Sequence, residues 1–454
     1  MFSNLSKWFK MLSLVLVFLF TVLPAGSKPP SNSEQICQAK FNGTFVQSWF
    51  SSQWSEERWA SEVKLMENDG IEYLILQDIA NMDANGAWTV YYDSGIDTFA
   101  SAEYPADVVG SALKAVKGTN IKVFVGLTMF DAFWTTGTLD GQFTKVCDIT
   151  ANMLEDIYSK YYNSYKDNFY GWYFTMELNN ILNCQPGTSK AVKGLNTVLN
   201  RATKVDPTLP LMMSPFTSNY LSLGKSAAFA QWLKVFTQVN WRDGDIIAPQ
   251  DAVGADWIDE EDLRTVWEMY YMAVNESDAD LKLWANCENF TLAIADGVGA
   301  GWLTRPASEN VVSVPATLDR FTRQMEIASH YCENIITFSY THYYSENQVS
   351  SVFMQTYRDY LAKDFTLETQ APVMGEFNKA QGENGVELSW TMAKDNIGIS
   401  HYRIEKNGKF LCRAETFDGT HRLSYTDESG NIGDTYTIVA YDGAGNQSNT
   451  VAAK

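Results

Sequence analysis

Short apolar runs alternate along the chain with stretches whose apolar positions recur every three or four residues, the marks of buried strands and amphipathic helices. Phe41–Trp49 reads as a first strand, and Ser55 then caps a helix with Trp59, Val63 and Met66 on its apolar face. Ile71–Gln77 and Ile121–Thr128 follow as strands; Val146, Ile149, Met153 and Ile157 mark the next helix face. Phe169–Glu177, Leu209–Pro215, Asp245–Gln250, Leu281–Asn286 and Asn334–Tyr340 complete eight strands. Helical stretches such as Val192/Leu195/Leu199/Ala202 and Leu263/Val266/Trp267/Tyr270 separate them. Strands apolar almost throughout suit a parallel sheet covered on both faces. Their repeated alternation with helices predicts an α/β fold, a (β/α)8 TIM barrel over residues 28–365. An open doubly wound sheet fits less well, because no glycine-rich phosphate loop follows the first strand.

Residues 366–376, with Pro372, interrupt the alternation as a linker, and residues 377–454 follow as an all-β unit. Its strands are Val386–Trp390, His401–Lys406, Phe410–Ala414 and Thr435–Tyr441, with turns at Asn407-Gly408 and Asp442-Gly443. The succession Asp395-Asn396-Ile397-Gly398, His401-Tyr402-Arg403-Ile404, Asn407-Gly408 and Tyr436 to Asp442 with Gly445-Asn446 resembles bacterial fibronectin type III modules. That resemblance implies a small β-sandwich. At the other end, Lys7 and Lys10 precede the uncharged apolar run Met11–Leu23, followed by Pro24, Ala25, Gly26 and Ser27. Residues 1–27 therefore read as a cleaved secretory signal, too short to span a bilayer comfortably. The expectation is a secreted, extracellular protein with no membrane insertion after cleavage.

The 454 residues carry 34 Lys+Arg against 54 Asp+Glu, a net charge of −20, which becomes −20 − 2 = −22 without Lys7 and Lys10. That balance argues against nucleic acid and against an anionic membrane surface as partners. The 14 Trp, 23 Tyr and 25 Phe suit sugar stacking as well as an aromatic-rich core. The 6 Cys show no C-x-x-C spacing and the 4 His no H-E-x-x-H or H-x-H, so neither a metal nor another cofactor is expected. Cys37 before strand one and Cys332 before strand eight should meet at the bottom rim, which predicts a disulfide closing the barrel. Cys147 and Cys184, on adjacent upper loops, form a second candidate pair.

Barrel enzymes place their chemistry at the C-terminal ends of the strands. Read in order, those ends present Gln47 and Trp49, Gln77 and Asp78, Asp131, Glu177 and Asn179, Ser214, Gln250 and Asp251, Asn286 and Glu288, then Tyr340 and His342. This ring of carboxylates and amides is free of lysine and glycine clusters, which points to a neutral, hydroxyl-rich ligand. Trp49, Trp88, Trp134, Trp257 and Trp302 lie on or near the upper loops as stacking candidates. Two of those loops, 79–103 and 289–314, are long enough to suggest function. Glu177 and Glu288, at the tops of strands four and seven, match the arrangement in the large clan of retaining glycosidases with barrel folds. Retention needs two carboxyl groups about 5–5.5 Å apart. The resemblance makes Glu177 the acid/base and Glu288 the nucleophile, although Met176 stands where many clan members carry Asn. Asp78 and Asp251 are an alternative, inverting pair, with Asp251 equally suited to positioning a neighbour.

As a whole the barrel resembles a bacterial family of secreted, glycosidase-like (β/α)8 proteins catalogued only as a domain of unknown function. The segments that carry the resemblance are Gly43–Trp49, Ile75-Leu76-Gln77, Gly171 through Glu177, Ser214-Pro215-Phe216, Pro249-Gln250-Asp251 with Gly254, and Trp284-Ala285-Asn286 with Glu288 and Phe290. The expectation is a secreted glycoside hydrolase acting on a poly- or oligosaccharide. The competing reading is a non-catalytic carbohydrate-binding protein on the same barrel. Oligomeric state, sugar and linkage stay open.

Overall fold

The computed structural model describes residues 35–133, 141–180, 188–215, 217, 225–294, 297–298, 312–415 and 422–454. Eight parallel strands close into a barrel: β1 (Gly43–Val46), β2 (Tyr73–Leu76), β3 (Lys122–Gly126), β4 (Phe169–Phe174), β5 (Leu211–Met213), β6 (Ile246–Ile247), β7 (Lys282–Glu288) and β8 (Asn334–Phe338). Neighbours pair in sequence order, and β1 closes the circle on β8 through Gly43↔Ile336 and Thr44↔Thr337. The strands are shorter than the apolar runs that predict them. Asp245–Gln250, for example, has only Ile246 and Ile247 in the regular ladder, although the Ala248 and Gln250 amides still donate to the Met213 and Pro215 carbonyls, each at 2.8 Å.

The outer layer consists of α1 (Glu56–Asn68), α2 (Val108–Val116), α3 (Gly141–Ile157), α4 (Thr188–Val205), α5 (Lys225–Gln238), α6 (Leu263–Asn275), α7 (Leu318–Ser329) and α8 (Val352–Ala362). Their buried stripes are the predicted ones: Trp59, Val63 and Met66 on α1, and Leu263, Val266, Trp267 and Tyr270 on α6. The Ser55 side chain caps α1 by accepting from the Arg58 N–H at 3.2 Å. Glu62, buried on the same face, is held by Arg58 at 3.3 Å and by the Asn347 amide at 2.9 Å. The helices enclose one large apolar layer around the barrel, and each fully buried Leu, Ile, Phe or Met there contributes about 1.5–3 kcal/mol.

Both long mouth loops carry structure of their own. Ala80–Met82 pairs with Trp88–Val90 and with Thr128–Phe130, and Phe290–Ile294 pairs with Gly297–Val298 and Val312–Pro315. They form walls above the barrel.

The C-terminal unit is a sandwich of two antiparallel sheets. One contains β9 (Phe377–Gly382), β10 (Gly385–Trp390) and β13 (Ser424–Asp427); the other contains β12 (Lys409–Glu415), β11 (Ile399–Lys406), β14 (Tyr436–Asp442) and β15 (Val451–Ala452). Its core is built on Phe377, Leu388, Trp390, Tyr402, Ile404, Tyr436 and Ile438. The Asn407-Gly408 turn joining β11 to β12 has positive φ at both residues, 51° and 73°, as a tight hairpin with right-handed twist requires. The linker is less independent than its sequence suggests, since Val373 exchanges backbone hydrogen bonds with Lys394 of the sandwich.

The predicted disulfide is absent. Cys37 and Cys332 are near enough that Cys37 adds to the burial that holds the Cys332 thiol well above its usual value, but both are free thiols. The closure expected of them is made by backbone: the Ile36 and Cys37 amides donate to the Ser329 carbonyl at 2.8 and 3.2 Å. Cys147 is a free thiol buried on α3, and Cys184 lies outside the described residues. Among the described residues no helix is long and apolar enough to cross a membrane.

Removing the α1 cap tests the helix start directly. Ser55→Ala should cost about 1 kcal/mol in chemical denaturation, and Ser55→Asp should cost nothing, because either short acceptor satisfies the first-turn amides.

Candidate active site

Along a barrel strand, every second side chain points inward. Phe45, Ile75, Phe124, Tyr173, Met212, Ile246, Trp284 and Ile336, one from each strand, pack together and plug the barrel. Two residues on, the same alternation brings Gln47, Gln77, Ser214 and Asn286 to the upper rim, and the stretch beyond β6 adds Gln250. Two more steps beyond Tyr173 reach Glu177, and one more beyond Asn286 reaches Glu288. The polar ring is thus the continuation of the apolar plug.

Glu288 ends β7 and is 4% exposed. Its Oε2 accepts from the Ala255 N–H at 2.7 Å. The loop bearing Ala255 can come this close because residue 254 is glycine: a Cβ there would stand 2.5 Å from the Phe290 carbonyl and 2.9 Å from Glu288 Oε2. Beneath the strand end lies Asp251, whose Oδ1 accepts from the Glu288 N–H at 3.2 Å. The Gln324 amide donates to Asp251 Oδ2 and, at 3.1 Å, to the Glu288 carbonyl. Arg320 donates to the carbonyls of Glu288, at 3.3 Å, and Phe290. Arg320 and Gln324 stand four apart on α7, on one face.

Glu177 lies three residues past β4, half-buried. The Gln250 side chain hydrogen-bonds to its carboxyl group, and Gln250 is itself anchored by donating to the Ser214 carbonyl at 3.2 Å. Tyr173 bonds Ser214 and feels the Glu177 charge. Asn286 donates to Ser214 Oγ at 3.2 Å, while its Oδ1 and Gln77 Oε1 are buried with no protein partner. Aromatic rings border the mouth. Trp49 is 56% exposed, 6.1 Å from His342, and His342 lies against Phe50 at 4.3 Å. Beside His342, Tyr343 stacks on Phe290 at 5.2 Å.

Burial pushes the Glu177 carboxyl up to about 7, with the Gln250 hydrogen bond opposing the rise. Burial, the Asp251 charge and the Glu177 charge push Glu288 higher still, against the Ala255 hydrogen bond and Arg320. Glu288 therefore feels the Glu177 charge at the mouth. Asp78, half-buried with Asp131 nearby, is also raised to about 7, first by burial. His342 is pushed down to about 4 by burial and is neutral; its Nδ1 shares a 2.8 Å hydrogen bond with Ser339 Oγ.

The model of a family described as "Domain of unknown function (DUF4434)" matches residues 41–351, from the start of β1 to the start of α8. The chain belongs to that family. A search among curated proteins finds no match. Among solved structures, a "putative alpha-L-fucosidase" from Bacteroides thetaiotaomicron shares the fold at 18% identity and a TM-score of 0.57. It aligns over 78% of this chain and 100% of its own. A chitinase from Bacillus thuringiensis is 12% identical, over 91% of this chain and 84% of its own, with a TM-score of 0.41.

Within the DUF4434 barrel, Gln47, Trp49, Gln77, Asp78, Asp131, Glu177, Gln250, Asn286, Glu288 and His342 gather at the mouth. Three other expectations need correction. Tyr340 is fully buried and donates to Asp69 at 2.9 Å, because the chain leaves β8 into the short helix Tyr340–Tyr343 and turns the side chain outward. Asp251 is fully buried, with both oxygens bonded to protein, so it serves Glu288 and cannot pair with Asp78. Asn179 is buried and turns back to the Glu177 carbonyl at 3.4 Å. Trp88 packs on Phe99 and Trp257 on the outer core, whereas Trp134 and Trp302 lie outside the described residues. Sequence reasoning missed Tyr173, Ala255, Arg320, Gln324 and Tyr343. The inward alternation of β4 pointed to Tyr173; for the others only the folded chain brings them to the site.

The raised carboxyls make a stability prediction. A carboxylic acid whose pKa is higher folded than unfolded helps stability fully below its unfolded value, and that help is lost as pH rises through the folded value. Glu177→Gln and Glu288→Gln should therefore be more stable than wild type at about pH 8, by about 1–3 kcal/mol, with half-exposed Glu177 at the low end. Near pH 4 the difference should vanish. Thermal melts of the three proteins across this range check it.

Proposed function

We propose that this DUF4434 chain is a secreted glycoside hydrolase that cleaves O-glycosidic bonds of a poly- or oligosaccharide. One observation carries the reading: Glu177 and Glu288 reach the same mouth from β4 and β7, near enough for one charge to raise the other's pKa. Glu177, half-buried and holding its proton to about pH 7, suits the acid/base role; Glu288, oriented by Ala255, suits the nucleophile. The buried, unpaired oxygens of Asn286 and Gln77 suit sugar hydroxyls, since buried polar atoms normally have partners. Exposed Trp49 offers an apolar face for a sugar ring. The apolar run behind Lys7 and Lys10 supports export, and a small sandwich of two antiparallel sheets supports the fibronectin type III-like reading of the C-terminal unit.

A second reading rests on a specific observation. Burial, and after it the Asp251 charge, hold the Glu288 proton above that of Glu177, the reverse of what a nucleophile and its acid partner need at rest. A barrel that keeps Glu288 neutral would bind a glycan without cleaving it.

Hydrolysis of a panel of aryl glycosides, α-L-fucosides included, and of natural oligosaccharides separates the two. An enzyme should lose about 10²–10⁴-fold in kcat on Glu288→Gln or Glu177→Gln while still binding its glycan. Retention of anomeric configuration, read by NMR of the first product, is expected for a nucleophilic Glu288. Binding without turnover by wild type would establish the second reading. Trp49→Ala should raise KM about 5–10-fold with little change in kcat, as for loss of a stacking platform.

A further inference from the structure

The helix that holds Glu288 does not begin unaided. Thr317, at the N-cap of α7, makes no side-chain cap, and the first amides of a helix need acceptors from elsewhere. They find them in the sandwich: Leu318 N–H donates to the Gly443 carbonyl at 2.8 Å and Asp319 N–H to the Ala444 carbonyl at 3.2 Å. The loop after β14 can lie this close because it is glycine-rich. A Cβ on Gly443 would overlap Thr356 of α8, and Gly445, at φ +98°, lies directly against the Asp319 carboxylate.

The same loop is braced from behind. The Asn446 amide donates to Asp442 Oδ2 at 2.8 Å, to Glu368 Oε2 at 3.0 Å and to the Glu368 carbonyl at 3.1 Å, and its N–H donates to Asp442 Oδ1 at 2.8 Å. Ser400 Oγ donates to the Tyr441 and Asp442 carbonyls at 3.1 and 2.7 Å. A second strut lies nearer the mouth, where β12 runs beside Gly297–Val298 at the end of the wall that continues from Glu288. Arg320 follows the clamped amides immediately, and Gln324 lies one turn later. Both grip the Glu288 carbonyl, and Gln324 also grips Asp251.

We propose that the C-terminal sandwich positions Glu288: by clamping the first turn of α7 it fixes Arg320 and Gln324, and through them the strand end that carries the carboxyl group. Gly443, Gly445 and Asn446 are then positioning residues of the active site, although they touch no substrate. The catalytic part of this inference rests on the hydrolase reading; the mechanical part does not.

Two variants of the full chain test it. Gly445→Val wedges the loop away from Asp319, and Asn446→Ala removes the bracing without adding bulk, so the second decides if the first fails to fold. Hydrogen exchange is the readout that needs no activity. Amides of residues 251–256 and 286–292 should exchange at least about ten-fold faster in the variants, alongside those of the first turn of α7. Faster exchange confined to residues 440–448 and the start of α7, with wild-type protection at 286–292, overturns the proposal. On a cleaved glycan, kcat should fall about ten-fold or more with KM within about two-fold, and the pH-rate limb belonging to Glu288 should move. An unchanged limb with equal losses in both variants would mean general destabilisation and would also overturn it. Should wild type cleave nothing, the hydrolase reading fails while the exchange comparison still decides the positioning role.

Discussion

Everything at this mouth follows from closing eight parallel strands on themselves. Closure gives each strand one set of inward side chains at alternate positions, and the narrow interior must be filled without gaps. Phe45, Phe124, Tyr173 and Trp284 supply bulk, and Ile75, Met212, Ile246 and Ile336 fit between them. Once that plug is set, the residue two positions further on has nowhere to go but the rim. The amides at 47, 77, 250 and 286 and the acids at 177 and 288 therefore share one origin with the hydrophobic core. A shift of one residue in any strand would turn its polar end into the helix layer and an apolar residue into the mouth.

The rim is electrostatically expensive. Four carboxyl groups, Asp78, Glu177, Asp251 and Glu288, are all raised, each chiefly by loss of water. Against that cost stand few compensations: Ala255 and Gln250 for the two glutamates, Gln324 and backbone amides for Asp251, and the guanidinium of Arg320 behind them. Two buried acids elsewhere have a cation of their own. Asp69 faces Arg358 and the Tyr340 hydroxyl, and Asp245 is held by Arg242 at 2.7 Å. Burial also raises Glu62 on α1 and Asp442 in the sandwich, but four such acids lie together only around the barrel mouth among the described residues.

How much of this could be read in the chain depended on locality. The barrel was legible because its strands are apolar throughout, and the helix faces because Trp59/Val63/Met66 and Leu263/Val266/Trp267/Tyr270 keep a helical period. Rim residues were legible where the strand alternation persists, as from Ile75 to Gln77 and from Trp284 through Asn286 to Glu288. Tyr340 was misread because the alternation was carried past Phe338, where the chain already turns into a helix. Asp251 breaks the alternation set by Ile246, Ala248 and Gln250, so its outward course toward Gln324 was implicit in the pattern. Arg320 and Gln324 carried no such sign: their role depends on where α7 lies against β7, a distance of more than thirty residues along the chain. The wall strands at 80–82, 88–90 and 290–294 were read only as long loops, since three-to-five-residue pairs leave too short a period to see.

The carbonyls of Gly443 and Ala444 stand where a helix would ordinarily recruit its own Ser, Thr or Asp. This has a consequence for ancestry. A barrel that surrenders a cap to its neighbour can no longer exchange that neighbour freely, because an incoming sandwich must bring a loop of the same shape and the same small residues. Modules joined by a string are readily shuffled among genes; this pair is joined by a shared helix terminus. Replacing the sandwich would thus take from the barrel the two carbonyls on which the first amides of α7 depend.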